Sequence, residues 1–217
     1  VRSSGDAGSG SVGLQSTGTT AAGVTNDEAT GLTADTDYFI YVRSVCGDGD
    51  TSTWEGPLAI FTGYCSSNFT NVTYEFITNV NFGGINNTSV GITGGPVDYT
   101  TQVATVGTNG TYTLAVTIDA DQLDYVYAFI DWNQNLVLDD AGEEYTLAVS
   151  TNIAGPHTFD ITVPADAALG NTRMRVMVDY NNNTPDPCDN TTFGEAEDYT
   201  VMVVAQEECT GLPDPGA

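Results

Sequence analysis

The stretch Tyr38-Phe-Ile-Tyr-Val-Arg-Ser-Val45 decides the class of fold. Read two residues at a time, it puts Tyr38, Ile40 and Val42 on one face and Phe39, Tyr41 and Arg43 on the other. That is the period of a strand, not of a helix. Similar candidates follow at Leu58–Thr62, Thr111–Ile118, Tyr125–Asp131, His157–Val163, Arg173–Tyr180 and Tyr199–Val204. Thr, Val, Gly, Asn and Tyr dominate, and turn signals recur at short intervals. Pro164–Gly170 could hold a single helical turn at most. The expected fold is all-β, with the strand spacing of tandem β-sandwich modules.

The 217 residues carry 29 acidic side chains against 4 basic ones, a formal charge of −25. All the basic residues are arginine (Arg2, Arg43, Arg173, Arg175), and His157 is the only histidine. A chain without lysine forms no Schiff base, no phosphate-cradling lysine loop and no Lys–Asn isopeptide crosslink. One histidine excludes a three-histidine zinc site, an HExxH protease and a two-histidine iron centre. So few cations cannot neutralise a phosphate backbone, so nucleic acid is excluded as a partner. No apolar run is long enough for membrane insertion. What such a chain attracts is cations, although solubility alone also accounts for the charge.

The four cysteines, Cys46, Cys65, Cys188 and Cys209, form no CxxC pair. Well-spaced cysteines in a β-type chain point to an oxidising, extracellular setting. The first residues have neither the basic start nor the apolar core of an export leader. The chain reads as a segment of a longer protein.

Two resemblances organise it. Gly31-Leu-Thr-Ala-Asp-Thr-Asp-Tyr38 and the strand after it, with Ser52-Thr-Trp-Glu-Gly-Pro-Leu-Ala-Ile-Phe-Thr62, resemble the C-terminal part of a fibronectin type III domain over residues 1–63. Tyr38 would be its corner tyrosine, the hydroxyl tied to upstream backbone. From 64 to 205, four ordered stretches resemble the GEVED domain of secreted bacterial proteins. They are Tyr64-Cys65, Ala128-Phe-Ile-Asp-Trp-Asn-Gln134, Val163-Pro-Ala-Asp-Ala-Ala-Leu-Gly-Asn-Thr-Arg-Met-Arg-Val176 and Gly194-Glu-Ala-Glu-Asp-Tyr199. The last departs from the family's naming motif only by Ala196 for valine. The resemblance implies an all-β, non-catalytic domain of large surface proteins or secreted enzymes. Residues 206–217 would be a linker or the start of a next repeat. On this modular reading Cys65 pairs with Cys188, and Cys46 and Cys209 pair elsewhere; Cys46–Cys65 is the alternative.

The densest polar stretch is Asp131-Trp-Asn133-Gln-Asn135-Leu-Val137-Leu-Asp139-Asp140-Ala-Gly142-Glu143-Glu144. Oxygen-bearing side chains alternate along a loop, the Val137 carbonyl can serve between them, and a late glutamate can close the shell. Calcium takes about six to eight such oxygens. The expected set is Asp131, Asn133, Asn135, Val137, Asp139 and Glu143, with Glu195 and Asp198 sharing the ion. Asn135-Leu136-Val137 stands where the GEVED family usually has Asp-Gly-Asp, which removes two carboxylates and the turn glycine; Leu136 cannot take positive φ cheaply. A solvated, hydrogen-bonded loop is the competing reading. Glu195 and Glu197 alternate onto one strand face with Asp198 opposite. Asp198 or Glu195 could instead pair with Arg173 or Arg175, which share a face. Paired carboxylates also allow a glycosidase reading, against which stands the lack of a tryptophan-lined groove. His157 reads as a surface residue, and Tyr112, Tyr125, Tyr127 and Tyr145 as core or cross-strand pairs.

The function expected is a non-catalytic structural or adhesive segment of a large secreted or cell-surface bacterial protein, stiffened by calcium. Its partners would be neighbouring repeats, surface glycans or another cell-surface protein. The alternative is an accessory domain of a secreted hydrolase, carbohydrate-binding in its own right.

Overall fold

The computed structural model describes residues 1–33, 36–46 and 50–206. The expectations for Cys209 and for residues 207–217 lie outside them. The chain divides into two compact units, Val1–Tyr64 and Cys65–Ala217. Among the described residues the regular elements are all strands.

In the first unit β1 (Asp37–Val42) pairs antiparallel with β2 (Glu55–Phe61), Tyr38 opposite Ile60. Tyr38 is buried, and its phenolic oxygen accepts a 2.9 Å hydrogen bond from the Thr33 backbone N–H, the tie expected of a corner tyrosine. Upstream, residues 2–33 make turns and isolated bridges, not strands. Glycine, serine and threonine dominate there, and offer too little apolar surface to seed a sheet.

The second unit is a β-sandwich. Its larger sheet runs in the order β5 (Val97–Gly107), β11 (Gly194–Val204), β10 (Gly170–Tyr180), β7 (Asp124–Ile130), β8 (Glu144–Thr151). The smaller runs β4 (Ile85–Thr88), β3 (Phe76–Phe82), β6 (Thr111–Asp119), β9 (His157–Thr162). All neighbours are antiparallel except β11 and β5. Alternate residues of the two inner faces meet in one core: Val126, Ala128, Ile130, Met174, Val176, Val178, Tyr199 and Val201 against Ile77, Val80, Phe82, Leu114, Val116, Ile118 and Ile161. Each buried Val, Ile, Leu, Phe or Met among them stabilises the fold by about 1.5–3 kcal/mol.

The strands after β2 that alternation predicted are all present, with β10 and β11 starting earlier at Gly170 and Gly194. Four others carried no clear signal: β3, β4, β5 and β8. β3 and β4 are interrupted by asparagines, and β5 and β8 are the sheet's edge strands, with much of their surface exposed.

The outer face of the larger sheet is covered by irregular chain. Cys65 and Cys188 are disulfide-bonded, as expected, across a sequence separation of 123. The alternative Cys46–Cys65 bond is therefore not formed; Cys46 is free and exposed. His157 is half-buried, one ring nitrogen 2.8 Å from the Ile153 carbonyl. Tyr125 stacks on Tyr127, and Tyr112 meets Phe82 edge-on.

Candidate functional site

The chemistry-bearing residues gather in three places: the start of β11, the Asp131–Glu143 loop, and the crossover from β6 to β7.

At the start of β11, alternation sends Glu195, Glu197 and Tyr199 into the sandwich and Asp198 outward. Glu195 is buried and accepts from the backbone N–H groups of Ile77 (2.8 Å) and Ile92 (2.7 Å), so it ties β11 to the smaller sheet. Burial pushes its carboxyl up to about 7 despite those two donors. Glu197 accepts from the Tyr199 hydroxyl at 2.6 Å. That hydroxyl accepts from Asn87 Nδ2 at 2.8 Å, and Asn87 in turn accepts from Gln102. A buried chain of polar groups thus joins β4, β5 and β11. Burial also raises the Glu197 carboxyl.

Asp198 faces the other way and takes both arginines. Arg175 Nε and Nη2 donate to its two oxygens at 2.7 and 3.0 Å, a bidentate fork, and Arg173 Nη1 adds a third bond at 2.5 Å. Arg175 Nη1 also donates to the carbonyls of Cys65 (2.7 Å) and Pro187 (2.6 Å). One guanidinium, 2% exposed, therefore holds the disulfide-linked cover against the sheet. Gly194 opens the strand at φ +139, where an added Cβ would lie 2.3 Å from the Val178 carbonyl oxygen.

The loop after β7 closes on itself. Asp131 is fully buried, and its two oxygens accept from Asn135 N (3.1 Å) and Leu136 N (3.0 Å). Asn133 Oδ1 accepts from Asn135 N and Asn135 Oδ1 from Val137 N, at 3.0 and 2.8 Å. Both asparagine amides donate to Asp140, at 2.9 and 2.7 Å. Leu136 does adopt positive φ (71°), so the turn a glycine would make is kept at a cost of about 1–2 kcal/mol. Asp139 is exposed. Glu143 is buried, and its Oε1 accepts from Trp132 N (2.7 Å) and Asn133 N (3.2 Å), while its Oε2 has no partner. Burial raises its carboxyl, against those two bonds. A cavity of about 230 Å3 beside it is lined by Trp132, Asn133, Gly142, Asp166 and Ala167. Gln134 and Trp132 bond the backbone of Ala168, which joins this loop to the turn before β10.

The expected ligand set is therefore brought together only in part. Asp131, Asn133, Asn135, Val137 and Glu143 share the loop. Glu195 does not reach it: Asp131 lies opposite Arg173 and Glu195 opposite Val178, roughly 16 Å further along β10. Asp198 is committed to the arginines. Among the described residues no three carboxylate, imidazole or thiol side chains converge as a ready metal cage.

Two features escaped the sequence reading. Asp179 and Asp189 both accept from Asn182 Nδ2, at 2.8 and 2.5 Å, and burial followed by contact with Asp189 pushes Asp179 up to about 7. Glu75 and Asp124 are buried beside the β6–β7 crossover. The spacing Asp119-x-Asp121-x-x-Asp124 was the signal for the second of these.

The second unit is thus an all-β domain whose Asp131–Glu143 motif is bonded largely within itself. Residues 125–202, from β7 through most of β11, match the family model of the GEVED domain, an accessory-type domain of multidomain proteins. No curated protein matches the chain.

Proposed function

We propose that this chain is a load-bearing, non-catalytic segment of a large secreted or cell-surface protein, with the second unit as its inextensible link. The observation that carries this reading is where the disulfide lies. Tension entering at Cys65 crosses the disulfide to Cys188 and runs on through β11 to Val204. The disulfide separation of 123 residues, roughly 430 Å of contour, is thereby taken out of the force path. What stays in line is mainly β11, already extended over about 36 Å. Arg175 clamps both ends of the shortcut, through the Cys65 and Pro187 carbonyls, to Asp198 on β11.

Force spectroscopy on the full chain tests this. The oxidised second unit should lengthen by only a few tens of ångströms. After reduction, unfolding should release roughly 400 Å or more. A release of roughly 400 Å from the oxidised chain, beyond the roughly 200 Å that the 64 residues of the first unit supply, would overturn the reading.

A second reading adds a cation to the Asp131–Glu143 loop. It is supported by the orphaned Glu143 Oε2 next to Asp131. Asp131, Asn133, Asn135, the Val137 carbonyl, Asp139 and Glu143 would hold calcium there, without Glu195 or Asp198. An Asp131→Asn/Glu143→Gln variant that keeps the full calcium-dependent rise in Tm of the wild type would refute it. Neighbouring repeats of the parent chain are the natural partners of such a link, and a fibronectin type III-like first unit suits the same role.

A further inference from the structure

The β6–β7 crossover carries the chain from the smaller sheet to the larger, and it is lined with acids. Asp119 ends β6 and pairs with Phe76, which places Glu75 beside it. Asp124 opens β7, and its Oδ2 accepts from Asp121 N at 3.2 Å. Glu75 is 2% exposed and Asp124 fully buried. Glu75 Oε2 and Asp124 Oδ1 have no hydrogen-bond partner. A buried, unpartnered carboxylate oxygen is costly, and native folds rarely leave one.

No side chain of this protein supplies the missing positive charge. There is no lysine. Arg2 is bonded to Ser9 and to carbonyls of its own unit, Arg43 lies over Trp54, and Arg173 and Arg175 both bond Asp198. His157 sits on the Ile153 carbonyl. The charges that act on Glu75 are those of Asp124, Asp121 and Asp119, all of them negative.

We propose that Glu75 Oε2 and Asp124 Oδ1 ligate a divalent cation of the calcium type at this crossover. Two carboxylates match its charge. Because no third acidic side chain converges among the described residues, backbone carbonyls and water complete a shell of about six to eight oxygens. That irregular, carbonyl-rich shell suits calcium better than magnesium, which demands a near-ideal octahedron. The exposed Asp119 and Asp121 draw the ion in. The ion would pin the one connection that steps between β6 and β7, and so lock the two sheets together. This site is separate from the Asp131–Glu143 loop and from the force path.

Calorimetric titration of the chelator-treated full chain with calcium chloride, paired with thermal melts, tests the proposal. The wild type should bind with a dissociation constant of roughly 10⁻⁴–10⁻³ M and melt several degrees higher in excess calcium. Glu75→Gln/Asp124→Asn should weaken binding at this site at least tenfold. The double variant removes buried charge without changing shape, so its calcium-free Tm should equal or exceed the wild type's. Asp131→Asn/Glu143→Gln should keep the crossover's binding. Two outcomes overturn the proposal. One is equal calcium affinity and Tm shift in wild type and Glu75→Gln/Asp124→Asn. The other is no calcium binding by the wild type, which would mean that the two carboxyls are held in the protonated form and need no ion.

Discussion

Arg175 gives the sharpest test of how the second unit is held together. It is 2% exposed and makes four short bonds, two to Asp198 and one each to the carbonyls of Cys65 and Pro187. Removing one partner of a buried pair typically costs about 3–5 kcal/mol, because the other is left charged in a poor solvent. The two deletions are not symmetric. In Arg175→Met, Asp198 keeps Arg173 at 2.5 Å, so the loss should fall near the lower end, about 3 kcal/mol. In Asp198→Ala, the buried Arg175 keeps only two carbonyls, so the loss should approach about 5 kcal/mol. Arg173→Ala removes a bond whose arginine side chain is 24% exposed, and should cost under about 1 kcal/mol. At roughly 2–4 °C per kcal/mol for a unit of this size, Tm should fall by about 10 °C, about 15 °C and no more than about 4 °C respectively. Trp132 is buried in the second unit and Trp54 is 41% exposed in the first, so denaturation followed by fluorescence emphasises the right unit. The reasoning is refuted if Arg175→Met costs no more than Arg173→Ala.

The pH dependence should be unusual for an acidic protein. Burial pushes Glu75, Asp179 and Glu195 up to about 7 and Asp124 up to about 6, so the folded state binds their protons more tightly than the unfolded chain does. The stability they contribute is full below about pH 4 and is lost as pH rises through 6 and 7. In chelator, Tm should therefore fall between pH 5 and pH 8, and a rise over that window would contradict the assignment. Gly194→Ala should cost about 3 kcal/mol or more, since φ +139 strains any side chain and the new Cβ would meet the Val178 carbonyl and the Phe69 ring. A melt of that variant within a degree or two of wild type would mean that β10 and β11 shift apart there freely.

Most of the second sheet was legible in the sequence because its inner strands are also its most apolar. Tyr125–Asp131 and Arg173–Tyr180 lie at the middle of five strands, where both faces are buried, and their apolar runs say so. Val97–Gly107 is an edge strand with tyrosines, threonines and a glutamine, and its alternation is lost among residues that face water. The pairing of Asp198 with the arginines was legible for a related reason. Two cations two apart on a strand share a face, and few other cations exist to compete. The distance of Glu195 from the Asp131 loop was not legible. It depends on the register of β10 against β11 and β7, which no local pattern encodes. Nor could one see that Leu136 would keep a positive φ, because the hydrogen bonds that hold it there come from Asp131 and Asn135 only once the loop has closed.

The charge balance and the fold bear on each other. Arg2 and Arg175 are buried and tie backbone carbonyls, Arg173 shares Asp198, and Arg43 covers Trp54. Every cation the chain owns is thus spent on holding its own structure, leaving almost the whole formal charge of −25 without an internal counter-charge. A strand-rich protein with open sheet edges runs the risk of pairing with copies of itself, and a uniformly negative surface opposes that association. The same surface repels itself within one molecule, which favours looser states. A side-chain cation would relieve that strain but also weaken the repulsion between copies. A divalent ion taken from outside, at a crossover where two buried carboxylate oxygens lack partners, relieves it there and leaves the outer surface negative.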